Sequence, residues 1–238
     1  MAGNDFATSN LLVQRFDQPT IDALRPHLSR IELEREQCFT TRGQRLEAVV
    51  FPEGGIASCM ASEGGARTEV GLVGIDGMVG LGAMLGDGIE SMEIFMQVDG
   101  TTGLVLPIDR MRAVLAQSEA LRRLLDRYAL CFQIQLAYAL VSCAQHLMEA
   151  RLARWLLMCH DRLPGDEIPL THEFMAMMIS AQRSGVTVTL HTLEGAGMIR
   201  STRGLVTIRD RAKLAELAGD SYGIPEARYR DLIGPFGK

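Results

Sequence analysis

The residues with the most specific chemistry fall in one stretch, Ala176 to Ile199, which reads AMMISAQRSGVTVTLHTLEGAGMI. Gln182, Arg183, Ser184 and Thr187 are its outward polar side chains. Arg183 is the most telling, because its planar fork can give two parallel hydrogen bonds to guanine O6 and N7, a pattern no other base offers in the major groove. That chemistry needs the group in the first turn of a helix, where N-terminal residues stand nearest the base edges. Val186, Leu190 and Leu193, at spacings of four and three, supply the buried side of such a helix. Phe174, Met177 and Met178 anchor a shorter helix before it, capped by Thr171, which is also expected to contact DNA, with a turn near Ser180-Ala181. Gly195-Ala-Gly197 is a glycine-rich stop. Met198–Ser201 and Leu205–Ile208 then read as a hairpin with a basic tip at Thr202-Arg203-Gly204, which places Arg200 and Arg203 against phosphate. Local propensity points elsewhere, since Gly185-Val-Thr-Val-Thr189 resembles a strand; only the longer apolar spacing recovers the helix.

Charge supports a phosphate-facing surface there. The chain carries a formal net charge of −5. Residues 1–145 hold 12 basic and 18 acidic side chains, whereas residues 146–238 hold 12 and 11. Between Ser180 and Lys213 six basic residues (Arg183, Arg200, Arg203, Arg209, Arg211, Lys213) face only Glu194 and Asp210. A local positive excess on an acidic protein suits double-stranded DNA.

The elements that must position this stretch precede it. From Glu32 to Leu106 short β segments (Ala48–Phe51, Ile56–Met60, Thr68–Val73, Ile94–Val98) alternate with turns at Gly54-Gly55, Gly64-Gly65, Asp76-Gly77, Asp87-Gly88 and Asp99-Gly100. This spacing predicts a sandwich or barrel with no helix inside it. Ile108–Ala116 is a short helix, and Ser118 caps a long one running to about Cys143. The long helix has two apolar faces. Leu121, Leu124, Tyr128, Cys131 and Tyr138, interrupted by Gln135, form one; Leu125, Phe132, Leu136 and Ala139 form the other. A helix that buries both faces packs on its own domain with one and on a partner with the other. The first face is expected to make a homodimer. The apolar run Tyr128–Ala144 is short for a membrane span and carries Gln133 and Gln135, so no membrane is expected. A helix over His146–Arg162, a strand over Glu167–Leu170 and a final helix over Asp210–Ala218 complete the pattern; the tail to Lys238 shows no chemistry. The division is 1–117, a β domain; 118–145, the dimerisation helix; and 146–238, the winged module.

Residues 151–208, with RLARWLLMCHDRLP, LTHEFMAMMISAQRSGVTVTLHTLEGAGMIRSTRG and the hairpin after them, resemble the cyclic-AMP-receptor/fumarate-nitrate-regulator (CRP/FNR) superfamily of bacterial transcription regulators. The resemblance implies an α+β chain: a cyclic-nucleotide-binding-like β jelly roll, a long dimerisation helix and a C-terminal winged helix-turn-helix. It further implies a two-fold dimer on a palindromic operator, with RNA polymerase as a further partner. By position Arg183 matches the base-reading arginine. Ser184 stands where many members carry a glutamate that accepts from cytosine, so a different operator is expected.

Members that bind cyclic AMP carry a phosphate cassette of the form G-E-L-A followed by R-[ST]. Here the corresponding residues are Gly80-Leu-Gly-Ala83 and Glu90-Ser91-Met92, with no arginine between Arg67 and Arg110. An anion would meet Glu90 rather than a bidentate clamp, so the expected effector is not a cyclic nucleotide. Met78, Met84, Met92 and Met96 either line an apolar effector pocket or fill the core. No cofactor is expected: no cysteine cluster precedes Cys38, and His27 is the only histidine before His146. The five cysteines contain no C-x-x-C pair and read as buried thiols of a cytoplasmic protein rather than redox sensors. Two other readings have specific costs. A cupin-type β-barrel protein or enzyme needs clustered histidines, and residues 28–145 have none. A dinucleotide-binding enzyme would run its phosphate helix through Gly86 and Gly88. No catalytic residue is identified, and a regulator without any effector remains open.

Overall fold

The computed structural model describes residues 7–63 and 66–238; the expected Gly64-Gly65 turn lies outside the described residues. Strands β1 Ser29–Glu32, β2 Cys38–Thr40, β3 Ala48–Pro52, β4 Ile56–Glu63, β5 Ala66–Val73, β6 Glu93–Val98 and β7 Thr102–Pro107 form two sheets, ordered β1-β7-β3 and β2-β6-β4-β5. Alternation explains how the second sheet is used. Ala57 and Cys59 of β4 and Ile94 and Met96 of β6 point into the roll. Ile56, Met60 and Phe95, from the intervening positions, pack under the C-terminal module instead. Strands β1, β2 and β7 carry no clean alternation: β1 and β2 are short and partly exposed, and β7 runs between β1 and β3.

Helix α1, Gln18–Leu24, is capped by Asp17, which accepts from Thr20 N. The β region is not free of helix as expected, because α2 spans Leu81–Leu85. Five residues are too few to show a 3.6-residue period. Then come α3 Ile108–Gln117, α4 Glu119–Gln145, α5 Met148–His160, β8 Glu167–Ile168, α6 His172–Met178, α7 Arg183–Gly195, β9 Ile199–Thr202, β10 Leu205–Ile208, α8 Arg211–Ala218 and α9 Ile224–Leu232.

Ser118 caps α4 by accepting from Leu121 N at 3.1 Å. The face expected to pair with a second chain is spent within the chain. Leu121, Tyr128 and Cys131 are buried in the core that also holds Leu12, Phe51 and Leu106, with half-buried Leu124 packed against it. Tyr128 accepts from Met78 N at 3.1 Å, and a Cβ at Gly77 would lie 1.9 Å from its hydroxyl, so only glycine fits there. Gln135 is not an interruption of that face. Its Oε1 accepts from Leu72 N at 2.6 Å and its Nε2 donates to Leu72 O at 3.3 Å. This closes backbone groups on β5, an edge strand of its sheet. The half-buried Tyr138 lies beyond this contact. The outward stripe of α4 is instead Leu130, Gln133, Ala137, Leu140 and Ala144, all exposed, and it continues to Leu147. Leu140 and Leu147 are 71% and 79% exposed. Within the helix the spacings of 3, 4, 3 and 4 have the heptad period of a coiled-coil seam.

The tail has a role its composition hides. In α9 and after it, Tyr229, Ile233 and Phe236 follow at four and three residues and enter the N-terminal core. The Tyr229 hydroxyl donates to Asp76 O at 2.7 Å. Nearby, Arg162 at the end of the α5 segment donates Nε and Nη2 to the two carboxylate oxygens of Asp76, at 3.0 and 2.6 Å. Both side chains are buried, at 2% and 6% exposure. Among the described residues no helix is long and apolar enough to cross a membrane.

Candidate nucleic-acid interface

The two helices expected to carry the function pack together, with Met178 of α6 buried in one cluster with Val186, Leu190 and Leu193 of α7. Phe174 and Met177 lie half-buried against it, and Met175, not among the expected anchors, is buried in their place. Thr171 accepts from Phe174 N at 3.3 Å and caps α6. The chain turns at Ser180, whose φ of 49° is left-handed. The α7 N-cap is Gln182, and its side chain makes no capping bond. First-turn amides of α7 therefore have no side-chain partner there and suit an anion.

Gln182, Arg183 and Ser184 are exposed at this end. Thr187 is not a free reader, contrary to expectation. Its hydroxyl lies 3.1 Å from Arg183 O and 3.0 Å from His172 Nδ1, so it is already engaged within the module. The helical period puts Val188 and His191 outward instead; Val188 is 67% exposed. Counting four and seven residues on from Ser184 finds both, and an apolar side chain at that depth suits a thymine methyl group.

The hairpin of β9 and β10 turns at Gly204, whose φ is 77°, and Glu194 of α7 accepts from Ser201 N at 3.0 Å. That bond fixes the hairpin beside α7. Between them lies a cleft of about 860 Å³ whose walls include Thr171, Arg183, His191 and Arg203. Gln182, Ser184 and Arg200 lie outside it, with Arg200 exposed on β9. Among the described residues Arg183, Arg200 and Arg203 enter no ion pair. The other basic residues divide. Lys213 pairs with Asp210 at 3.2 Å, and Arg211 is held by Asp161 at 2.6 Å within a network that includes Tyr222. Arg209 is exposed. Four cations of the six thus remain for a polyanion.

Behind this module a second feature lies between the roll and α4: a cavity of about 340 Å³ with Met78, Met92 and Glu90 in its wall. Met84 and Met96 are core residues, so the methionine set divides between the two roles considered for it. Cys59, Cys131 and Cys159 are buried, whereas Cys38 and Cys143 are exposed, against the expectation that all five are buried.

Residues 150–217 match the Crp-like helix-turn-helix domain. That segment is a Crp-like helix-turn-helix. Solved structures agree on the fold of the whole. FixK2 from Bradyrhizobium japonicum shares 14% identity with a TM-score of 0.69, covering 81% of this chain and 98% of its own. A CRP-family transcriptional regulator from Thermus thermophilus shares 18%, with a TM-score of 0.66 and coverage of 81% and 97%. The c-di-GMP-responsive global regulator CLP of Xanthomonas campestris shares 14%, with a TM-score of 0.64 and coverage of 81% and 99%. Among curated proteins none matches the sequence. The chain thus shares with these solved structures an N-terminal β-roll, a long helix and a C-terminal Crp-like helix-turn-helix.

Proposed function

We propose that this regulator binds a palindromic operator as a homodimer and answers to an effector other than a cyclic nucleotide. The observation that carries the DNA reading is the exposed first turn of α7, where unpaired Arg183 faces Arg203 of the hairpin across an open cleft. Arg183 reads guanine, Gln182 and Ser184 flank it, and Arg200 and Arg203 touch backbone phosphates. Pairing through the Leu130–Leu147 stripe supports a two-fold arrangement, with half-sites about 10–10.5 bp apart between centres. Against a cyclic nucleotide stands Glu90, an acid in a cavity wall that has no arginine.

Selection of sites from a random DNA library, run on wild type and Arg183→Ala, tests the reading. Wild type should enrich a palindrome. The variant should lose about 1–3 kcal/mol per half-site and relax one symmetric pair of positions. Enrichment of the same motif with equal sharpness by both proteins would show that Arg183 reads no base.

A further inference from the structure

Only His146 and Leu147 separate α4 from α5, a joint short enough to aim the winged module and too slight to hold it still. The chain supplies a second connection after α8, past the segment matched at 150–217. It starts on the module, where Ser221 O accepts from Nε of the buried Arg154 of α5 at 2.9 Å. It then crosses to the roll, and Tyr229, Ile233 and Phe236 are buried in the core that holds Leu12 and Phe51. The rings of Tyr229 and Phe236 stand 4.8 Å apart, and the Arg162 guanidinium lies 5.1 Å from the Phe236 centroid. A Cβ at Gly234, whose φ is 151°, would lie 2.8 Å from the Arg15 guanidinium, so the chain passes hard against the N-terminal segment. It returns to the module at Lys238, whose N donates to Asp161 Oδ1 at 3.1 Å and whose O accepts from Arg211 Nε at 3.1 Å. Asp161 follows α5 and Arg211 opens α8. Both ends of the segment are fastened to the module while its middle is sunk in the N-terminal core.

The shared apolar cluster and the Asp76–Arg162 pair join the same two parts, but the segment adds something they do not. Packed surfaces can slide. A loop anchored at both ends cannot follow a pivot of the module until three apolar side chains come out into water. We propose that Tyr229, Ile233 and Phe236 are positioning residues for operator recognition: residues 219–238 form a strap that fixes the winged module on the roll and so sets the one half-site spacing that the dimer accepts. This rests on the operator reading above and adds what keeps its two readers in register. On a two-fold dimer the separation of the two α7 helices depends on how each module sits on its own α4, and the half-sites must match that separation. Holding the pose in the unbound protein also spares the ordering of the module when DNA arrives.

The half-site enriched from random DNA, arranged in pairs whose spacing changes one base pair at a time, separates positioning from reading when offered to the full chain. Wild type should select one spacing. Phe236→Ala should keep the same half-site bases and lose roughly tenfold in discrimination against a one-base-pair change, the factor that answers to about one apolar side chain left out of the core. Ile224→Ala, on the exposed side of α9, should change nothing. A folded Phe236→Ala that keeps wild-type sharpness for spacing overturns the assignment, as does an equal loss or gain of affinity at every spacing. Should Phe236→Ala not fold, Tyr229→Phe, which loses only the bond to Asp76 O, should show the same broadening to a lesser degree. Hydrogen exchange on wild type checks the strap without any substitution: amides of α9 should be protected like those of α4, and exchange at unfolded-chain rates overturns it. A wild type that enriches no palindrome sinks the operator reading, whereas a palindrome whose spacing is held equally by both proteins sinks the strap alone.

Discussion

Glu69 lies where β5 meets α5, buried, with Oε1 accepting from Trp155 Nε1 at 2.7 Å. Burial pushes its carboxyl from 4.5 up to about 8, although the hydrogen bond from Trp155 and the charges of Arg154 and Arg162 pull it back. An acid raised on folding takes up a proton as the chain folds. Its contribution to stability is therefore complete below about 4.5 and is lost as pH rises through about 8. Glu69→Gln keeps the shape and removes the ionisation. Urea midpoints should fall between pH 6 and 9 for wild type and stay flatter for the variant, which gains on wild type at the alkaline end. Parallel midpoint curves for the two proteins would place the ionisation elsewhere. No sequence pattern marks this residue. Arg183 was legible because its chemistry and its position in a helix turn agree, whereas Glu69 acquires its character only from what the fold stacks above it.

At the scale of elements α4 carries the sharpest test. Leu140→Glu puts a charge in the middle of the outward stripe and should convert a dimer to monomers in light scattering, with DNA affinity lost alongside. Tyr128→Phe should leave the dimer intact, because that side chain is sealed within the chain's own core. Monomers from the second substitution but not the first would restore the face that the apolar spacing favours. Spacing reveals that α4 has two apolar sides and cannot say which is turned inward. The deciding contacts, Tyr128 on Met78 and Gln135 on Leu72, join residues 50 and 63 positions apart. The same limit hid α9: four of its nine residues are charged, and Tyr229, Ile233 and Phe236 gain meaning only once the N-terminal core is there to receive them. Helix α7 and its hairpin were legible because their packing is local. Thr187 was not, since its bond to His172 crosses from the preceding helix.

Across the whole molecule the roll and the winged module are joined by a shared apolar cluster and by the buried pair of Asp76 and Arg162. Asp76→Asn leaves Arg162 charged with its partner's charge removed, and loss of one member of such a pair costs about 3–5 kcal/mol. Chemical denaturation of this variant should show a lower midpoint, with the Trp155 signal lost ahead of far-ultraviolet ellipticity as the two halves part. A single transition with an unchanged midpoint would mean that the apolar contacts alone join them. Helix α4 runs through all of this as one rod. It walls the cavity beside the roll with Phe132, Gln133 and Leu136, and it carries bare Leu130 and Leu140 on the neighbouring side. Pairing through the stripe, as proposed, and filling of the cavity by a small molecule, both on this one rod, would be coupled by mass action. A filler that prefers the paired state tightens pairing by the same factor by which pairing tightens the filler. Its apparent affinity must therefore change on dilution of the protein, and a binding constant for this chain has meaning only beside the concentration at which it was read.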